Sequence, residues 1–403
     1  MQRLLTALGT QLLVMVTLVS TAAAAPPTLH TDGSRPVSTR STTHMGSNRP
    51  TRFASPADRE RFGVGLTTFD AEDPSRPGRV LTFDVWYPTN RRTTTGEPAS
   101  LNVLGTEVDM PGVRRDARPA MKRPSPLVVF SHGSTTTRFE AWFLMESLAG
   151  HGYVVIAPDH AGNTLPDLLS GRAQPSQTIA RERPLDVSFA IDQAIARSAD
   201  PTDLLARTVD GSRVAVVGRS FGGFTALATA SGFRDVPPDD RVDAIVPIAA
   251  SSQWLSDQEL AAVKVPILLL SGTKDETVPL STAAERPWSI TASRPAWRVD
   301  LEGAGHNSFT NICDMLDPLR NAGLPSVVID GLAEEGCSPD LIPVDDAHRL
   351  TEHFVLAFLR TTLDHHPWSQ RLLSPQFARR HHLPVEVEVR TGRACYGHDW
   401  RLD

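Results

Sequence analysis

Apolar and polar residues alternate over Arg61–Phe69 and again over Val80–Tyr87, where Leu81, Phe83, Val85 and Tyr87 fall on one face. A period of two predicts strands, here an antiparallel pair. Thr93–Pro124 is polar and carries several prolines, and reads as a surface excursion. Beyond it the rhythm changes to short apolar runs: Pro126–Phe130, Tyr153–Ala157, Arg213–Val217, Val242–Ala250, Val265–Ser271 and Trp297–Leu301. Helical patterns separate them: an amphipathic one at Phe139–Ala149, and others at Arg183–Ala196 (continuing or restarting towards Val209), at Phe221–Ser231 and at Ser256–Val263. A closing helix is expected over His348–Leu363, with Leu350, Phe354, Val355, Phe358 and Leu359 on one side. Unbroken apolar runs mark strands buried on both faces, and strands alternating with helices mark a parallel sheet. The expected fold is therefore α/β, a mostly parallel central sheet with an antiparallel N-terminal edge and helices on both faces. In such a sheet the loops at the carboxyl ends of the strands hold the site.

The flanks read differently. Residues 1–24 have a small basic start at Arg3, an apolar stretch over Leu4–Ser20 and small residues at Ala22–Ala24, which is the pattern of a cleaved export signal. Residues 25–56 are rich in Pro, Ser, Thr and Arg and read as a disordered linker. The domain is expected over 57–364, with a lid-like insertion at 307–343 and a tail at 365–403 in which Val385–Arg390 could add an edge strand. The 403 residues carry a formal net charge of −6, which gives no reason to expect a nucleic acid partner. No second stretch is long and apolar enough to span a bilayer. Export permits disulfides. Of the three cysteines, Cys313 and Cys337 flank a loop-like segment and are expected to pair, leaving Cys395 over. Their spacing does not suit zinc, and no metal or cofactor is expected.

Candidate chemistry centres on Gly218-Arg219-Ser220-Phe221-Gly222-Gly223, which follows a Val-rich strand and opens an Ala-rich helix. Gly-x-Ser-x-Gly in that context predicts a nucleophile elbow, with Ser220 raised at a sharp turn and Gly223 letting the helix lie against its strand. Such a serine needs a base and an acid to orient that base, in the chain order Ser, acid, His. Asp275 follows the apolar run Leu268–Leu270 and a Gly-bearing turn, and is the expected acid; adjacent Glu276 is the alternative. His306 lies on the Gly-rich loop Gly303–Gly305 after the last expected strand and is the expected base. Oxyanion donors are expected from the N–H groups of Phe221 and of Ser134, in the loop His132-Gly133-Ser134. His132 and His160 are read as loop braces, and His151 as a residue at a helix terminus.

These motifs resemble the α/β-hydrolase superfamily, and more narrowly its platelet-activating-factor acetylhydrolase-like and dienelactone-hydrolase-like esterases. The resemblance is carried by Asp84–Pro88, Pro126–Gly133, Leu148–Val155, Arg183–Val187, Gly218–Gly223 and Gly303–Phe309 with Cys313 shortly after, and it covers roughly Arg61 to Leu363. It implies the α/β-hydrolase fold and a secreted or periplasmic serine esterase or lipase acting on small-molecule or lipid esters. Where many relatives carry His before the serine, this chain has Arg219, which sets a cation beside the site and bears on substrate charge. Ser220 stands where dienelactone hydrolases use cysteine. No acid follows Val242–Ala250, where some phospholipid-cleaving members place theirs. A peptidase or acyltransferase, or a non-catalytic binding protein on the same fold, is the rival expectation. Trp142, Phe143, Trp254 and Phe309 are candidates for an acyl pocket wall.

Overall fold

A computed structural model describes Phe53, residues 55–92 and residues 95–391. The expected signal at 1–24, most of the linker at 25–56, and Cys395 lie outside the described residues. Among the described residues, eleven strands form one sheet: β1 (Gly63–Glu72), β2 (Val80–Thr89), β3 (Glu97–Val103), β4 (Thr106–Arg115), β5 (Ser125–Ser131), β6 (Val154–Pro158), β7 (Val209–Arg219), β8 (Val242–Ile248), β9 (Ile267–Gly272), β10 (Ala296–Leu301) and β11 (Val385–Arg390). Their order is β11-β10-β9-β8-β7-β5-β6-β2-β1-β4-β3. From β10 across to β6 the neighbours are parallel. β1 and β2 pair antiparallel as expected, with Gly63 opposite Thr89 and Glu72 opposite Val80.

Side-chain alternation assigns each parallel strand to two cores. Val128 and Phe130 of β5, Ala215 and Val217 of β7, and Leu268 and Leu270 of β9 face one side. Leu127, Val129, Val214, Val216, Ile267 and Leu269 face the other, joined by Leu81, Phe83, Val85 and Tyr87 of β2. The first side is covered by α1 (Trp142–Gly150) and by the long closing helix, the second by α2 (Ser176–Ala199) and α3 (Phe221–Ser231). With both faces buried, each strand can be apolar throughout, and each fully buried Leu or Val adds roughly 1.5–3 kcal/mol. α4 (Ile312–Asn321) and α5 (Ser326–Glu334) lie in the insertion, and α6 (Val344–Thr362) closes the domain. Leu350, Phe354, Val355, Phe358 and Leu359 of α6 are all buried against the first face.

Three expectations change. Thr93–Pro124 is not a plain excursion: β3 and β4 form a hairpin whose second strand runs parallel to β1, with Val64 opposite Val113. Its Ala99, Leu101, Val103, Met110 and Val113 are buried between polar neighbours, a half-buried alternation that the prolines obscured. The helix expected from Arg183 begins at Ser176, carries Pro184 inside it, and ends at Ala199. Proline is tolerated in a first turn, where a start at Arg183 would place it, whereas here Pro184 sits in the third turn. α1, expected to be amphipathic, is buried nearly all round because α6 covers its outer side. Val385–Arg390 does add an edge strand, antiparallel to β10, with exposed Glu386 keeping that edge polar.

One acidic group on α6 loads the fold with a pH dependence. Burial pushes the Glu352 carboxyl up to about 8, helped by Glu60 and Glu146 and opposed by Ser147 and Arg349. Unfolded, the carboxyl titrates near the ordinary glutamate value of 4.5. Between those values the folded chain holds a proton that the unfolded chain has lost, so stability falls as pH rises from about 4.5 to about 8. Glu352→Gln is expected to stabilise the fold at pH 8 by up to about 4 kcal/mol, raising the melting temperature there, and to change it little at pH 5. Thermal denaturation at the two pH values reads this directly.

Candidate functional site

β7 ends at Arg219 and α3 begins at Phe221, so Ser220 is the whole turn, with φ 57° and ψ −116°. A non-glycine residue holds that strained backbone because three bonds fix it. Ser220 N–H donates to Ile248 O at 2.8 Å, and its carbonyl accepts from Phe224 N–H and Ser251 N–H, each at 3.1 Å. The flanking glycines are required by contact. A Cβ on Gly218 would lie 2.1 Å from Gly222 O, and one on Gly222 would lie 1.8 Å from Ser131 O at the end of β5. Gly223 faces Ile248, at the end of β8, and Ala250 just after it, rather than its own strand.

The loops after β9 and β10 meet over this turn. His306 Nε2 lies 3.0 Å from Ser220 Oγ, and His306 Nδ1 lies 2.8 Å from Asp275 Oδ2. Facing a carboxylate, Nδ1 carries the proton and donates, which leaves Nε2 to accept from the serine hydroxyl. All three side chains are buried: Ser220 is 8% exposed, Asp275 6% and His306 5%. Asp275 Oδ1 also accepts Val278 N–H at 2.6 Å, so the same carboxylate caps its own turn. Glu276, beside it, is exposed. The arrangement can deprotonate a serine hydroxyl and stabilise the imidazolium that results.

Ser134 lies in the loop after β5. The N–H groups on either side of it are committed, Gly133 to Glu140 Oε1 at 2.7 Å and Thr135 to Asn163 O at 3.1 Å. Phe221 supplies the first N–H of α3, which has no partner within the helix and lies at its positive end. Below both, the fully buried Arg183 of α2 braces the loop. It donates to His132 O, to Asn163 Oδ1 at 2.6 Å and to Thr225 Oγ1 at 3.1 Å, and its guanidinium lies 5.0 Å over the Phe221 ring. Burial lowers the Arg183 guanidinium to about 9, against the pull of Asp186 and Glu140. His160 joins the same network, with Nε2 2.9 Å from Ser131 Oγ and Nδ1 2.9 Å from Asp186 Oδ2. Burial, then Arg183, push it down to about 3, so it is a neutral brace. His132 Nε2 accepts His160 N–H at 3.0 Å, which puts both histidines in the bracing role expected of them.

Arg219 is not a cation offered to substrate. It is 4% exposed and turned inward. Its Nη2 donates to His306 O at 2.9 Å and to Asn307 Oδ1, while Nη1 lies 3.7 Å from Glu140 Oε2. Glu140 thus links the oxyanion-side loop, through Gly133, to the histidine loop, through Arg219. No sequence signal marked Glu140 or Asn163, because each makes its contact with a residue far along the chain, Glu140 with Arg219 and Asn163 with Thr135. Of the aromatic candidates, Trp142 and Phe309 are core residues, and Phe143 stacks on His348 at 3.6 Å. Trp254 is half-buried with its ring 5.4 Å from that of Phe221. Cys313 and Cys337 form a disulfide. Among the described residues, no group of three or more His, Cys, Asp or Glu is placed to hold a metal ion, and no helix is long and apolar enough to cross a membrane.

Residues 125–317 match the family described as PETase, PET hydrolase-like. The chain is 30% identical over 181 residues to Cutinase 2 of Thermobifida cellulosilytica, covering 44% of this chain and 59% of that protein. It is equally similar to Cutinase cut1 of Thermobifida fusca, covering 44% of this chain and 49% of that one. The match thus spans about half to three-fifths of these relatives' length. Among solved structures, a ferulic acid esterase from Streptomyces cinnamoneus superposes with a TM-score of 0.62 at 26% identity, covering 82% of this chain and 96% of that chain. A parallel sheet with a serine elbow after β7, and likenesses to cutinases and to a ferulic acid esterase, have one common frame, and the chain belongs to the α/β-hydrolase superfamily.

Proposed function

We propose that this chain is a secreted serine hydrolase of carboxylic esters. The observation that carries the reading is the continuous line of hydrogen bonds from Ser220 through His306 to Asp275. Ser220 Oγ attacks the ester carbonyl as His306 Nε2 takes its proton, while Asp275 holds the imidazole and balances its charge. The N–H groups of Phe221 and Ser134 receive the negative oxygen of the tetrahedral intermediate. His306 then returns the proton to the leaving alcohol, and water repeats the sequence on the acyl-enzyme. The chemistry calls on no metal or cofactor. Cutinases and a ferulic acid esterase among the similar proteins favour small esters and polyesters over phospholipids, and the loop after β8 carries no acid. Export is supported by the signal pattern of residues 1–24 and by a disulfide, which persists in oxidising compartments.

A fluorophosphonate probe is expected to label the chain once, on Ser220, with loss of ester turnover in step; intact mass and peptide mapping read this. Absence of labelling, or labelling without loss of turnover, sinks the reading. A panel of short aryl esters, a polyester film, a phospholipid and an acyl-peptide, compared by kcat/KM, then orders the substrates. The first two are expected to lead.

A further inference from the structure

The insertion at 307–343 folds back against the loops that carry the acid and the base. Its apolar side is anchored, with Ile312, Met315, Leu319 and Ile329 buried in the main core. Its returning segment, Leu332–Ile342, lies along both loops that carry the acid and the base. On the base side, Leu332 O accepts Asn307 Nδ2–H at 3.0 Å and Ile342 N–H donates to Gly303 O at 2.9 Å. On the acid side, Lys274 Nζ donates to Asp340 O. The approach is close: a Cβ on Gly336 would lie 2.9 Å from Asn307 Cβ, and one on Gly305 would lie 2.6 Å from Glu335 O.

Glu335 is at the centre of this contact. Its Oε2 accepts the main-chain N–H of His306 at 3.1 Å. Its Oε1 accepts Thr277 Oγ1–H at 2.9 Å, two residues from Asp275. Its carbonyl accepts Asn307 N–H at 2.7 Å. All three oxygens therefore serve the acid and base loops. Two residues on, Cys337 is bonded to Cys313 in the first turn of α4, with Cα atoms 5.7 Å apart across a separation of 24 residues. That bond ties Glu335 to the part of the insertion that follows directly from His306.

We infer that Glu335 is a positioning residue for the base, holding the His306 and Asp275 loops in one arrangement, with the Cys313–Cys337 bond fixing Glu335 in turn. The inference rests on the serine-hydrolase reading above. Glu335 touches neither the imidazole nor the serine among its hydrogen bonds; it sets where the imidazole starts from. Displacing a catalytic group by about 1 Å costs up to about 10²-fold in rate.

The test uses the full chain and an aryl ester, reading kcat, KM, fluorophosphonate labelling rate and melting temperature. Glu335→Ala is expected to lower kcat and the labelling rate by about 10- to 100-fold, with KM within about twofold. Glu335→Gln is expected to recover most of that loss, because its amide oxygen still accepts the His306 N–H. Glu334→Ala, one residue away and exposed, should behave as wild type. The pair Cys313→Ser/Cys337→Ser should lower kcat, and adding Glu335→Ala to it should cost little more, since both act through one contact. An active wild type whose kcat survives Glu335→Ala overturns the inference alone. So does a Glu335→Ala loss that follows melting temperature and is not relieved by Gln. A wild type that neither turns over esters nor takes the probe overturns the serine-hydrolase reading, and this inference falls with it.

Discussion

Ser220→Ala is expected to lower kcat for ester hydrolysis by about 10⁶-fold while leaving the fold intact. The loss is large because nucleophile, base and acid act as one unit. Without Oγ there is nothing for His306 to deprotonate, and what survives is stabilisation from the oxyanion donors and binding alone. The fold survives because the bonds that fix the backbone of residue 220 are main-chain ones, to Ile248, Phe224 and Ser251. Alanine keeps each of them and fills nearly the same space. Melting temperature is expected to stay within about 2 °C. Turnover assays on the purified variant, with wild type prepared in parallel to exclude a contaminating esterase, check the first part; calorimetry checks the second. A variant that keeps even a hundredth of wild-type turnover places the nucleophile elsewhere.

Glu140→Ala should be the most damaging change outside the Ser220–His306–Asp275 line. Glu140 is 1% exposed and sits between two buried arginines. Its removal leaves Arg219 buried without a counter-charge, frees Gly133 N–H from its acceptor and opens a void. Breaking a buried pair from one side costs roughly 3–5 kcal/mol, or about 10 °C in melting temperature for a chain of this size. Activity should fall as well, by about 10²-fold, because the loop that presents Ser134 N–H loses its anchor. Glu140→Gln separates the two effects: its amide oxygen still holds Gly133, so kcat should stay within about tenfold, while the charge is lost and stability falls. Adding Arg219→Met to Glu140→Gln should return part of the stability, since a buried charge with no partner is worse than none. If Glu140→Gln loses as much kcat as Glu140→Ala, the Gly133 bond is not what matters.

The parts of this molecule that were legible in its sequence are those written in short stretches. The elbow needs glycine at 218 and 222 because backbone crosses backbone there, and that demand leaves a five-residue mark. The parallel strands are buried on both faces, so each reads as an unbroken apolar run whatever its neighbours. The β3–β4 hairpin was not legible because Pro98, Pro111 and Gly112 interrupt a pattern whose buried positions are only every second residue. The role of Arg219 was misread for a different reason. A charge next to a nucleophile suggests contact with substrate, but its direction is set by Glu140 and Asn307, which lie 79 and 88 residues away in the chain. Buried polar contacts of this kind have no periodicity and no fixed spacing. Glu335 is the extreme case, an acid in an insertion with an acidic neighbour, Glu334, that does nothing comparable.

The strand β11 carries a consequence for the order in which the molecule can be completed. β10, whose end leads into the His306 loop, gains its outer partner only from residues 385–390. During synthesis, about 80 residues separate the two, and the whole insertion and α6 are made in between. Until β11 arrives, β10 offers an open row of N–H and C=O groups to any passing strand. The half of the sheet that carries the nucleophile can therefore assemble early, but the edge beside the base is sealed last. The nascent chain thus passes through a stage in which its serine is built and its most vulnerable strand is still unguarded.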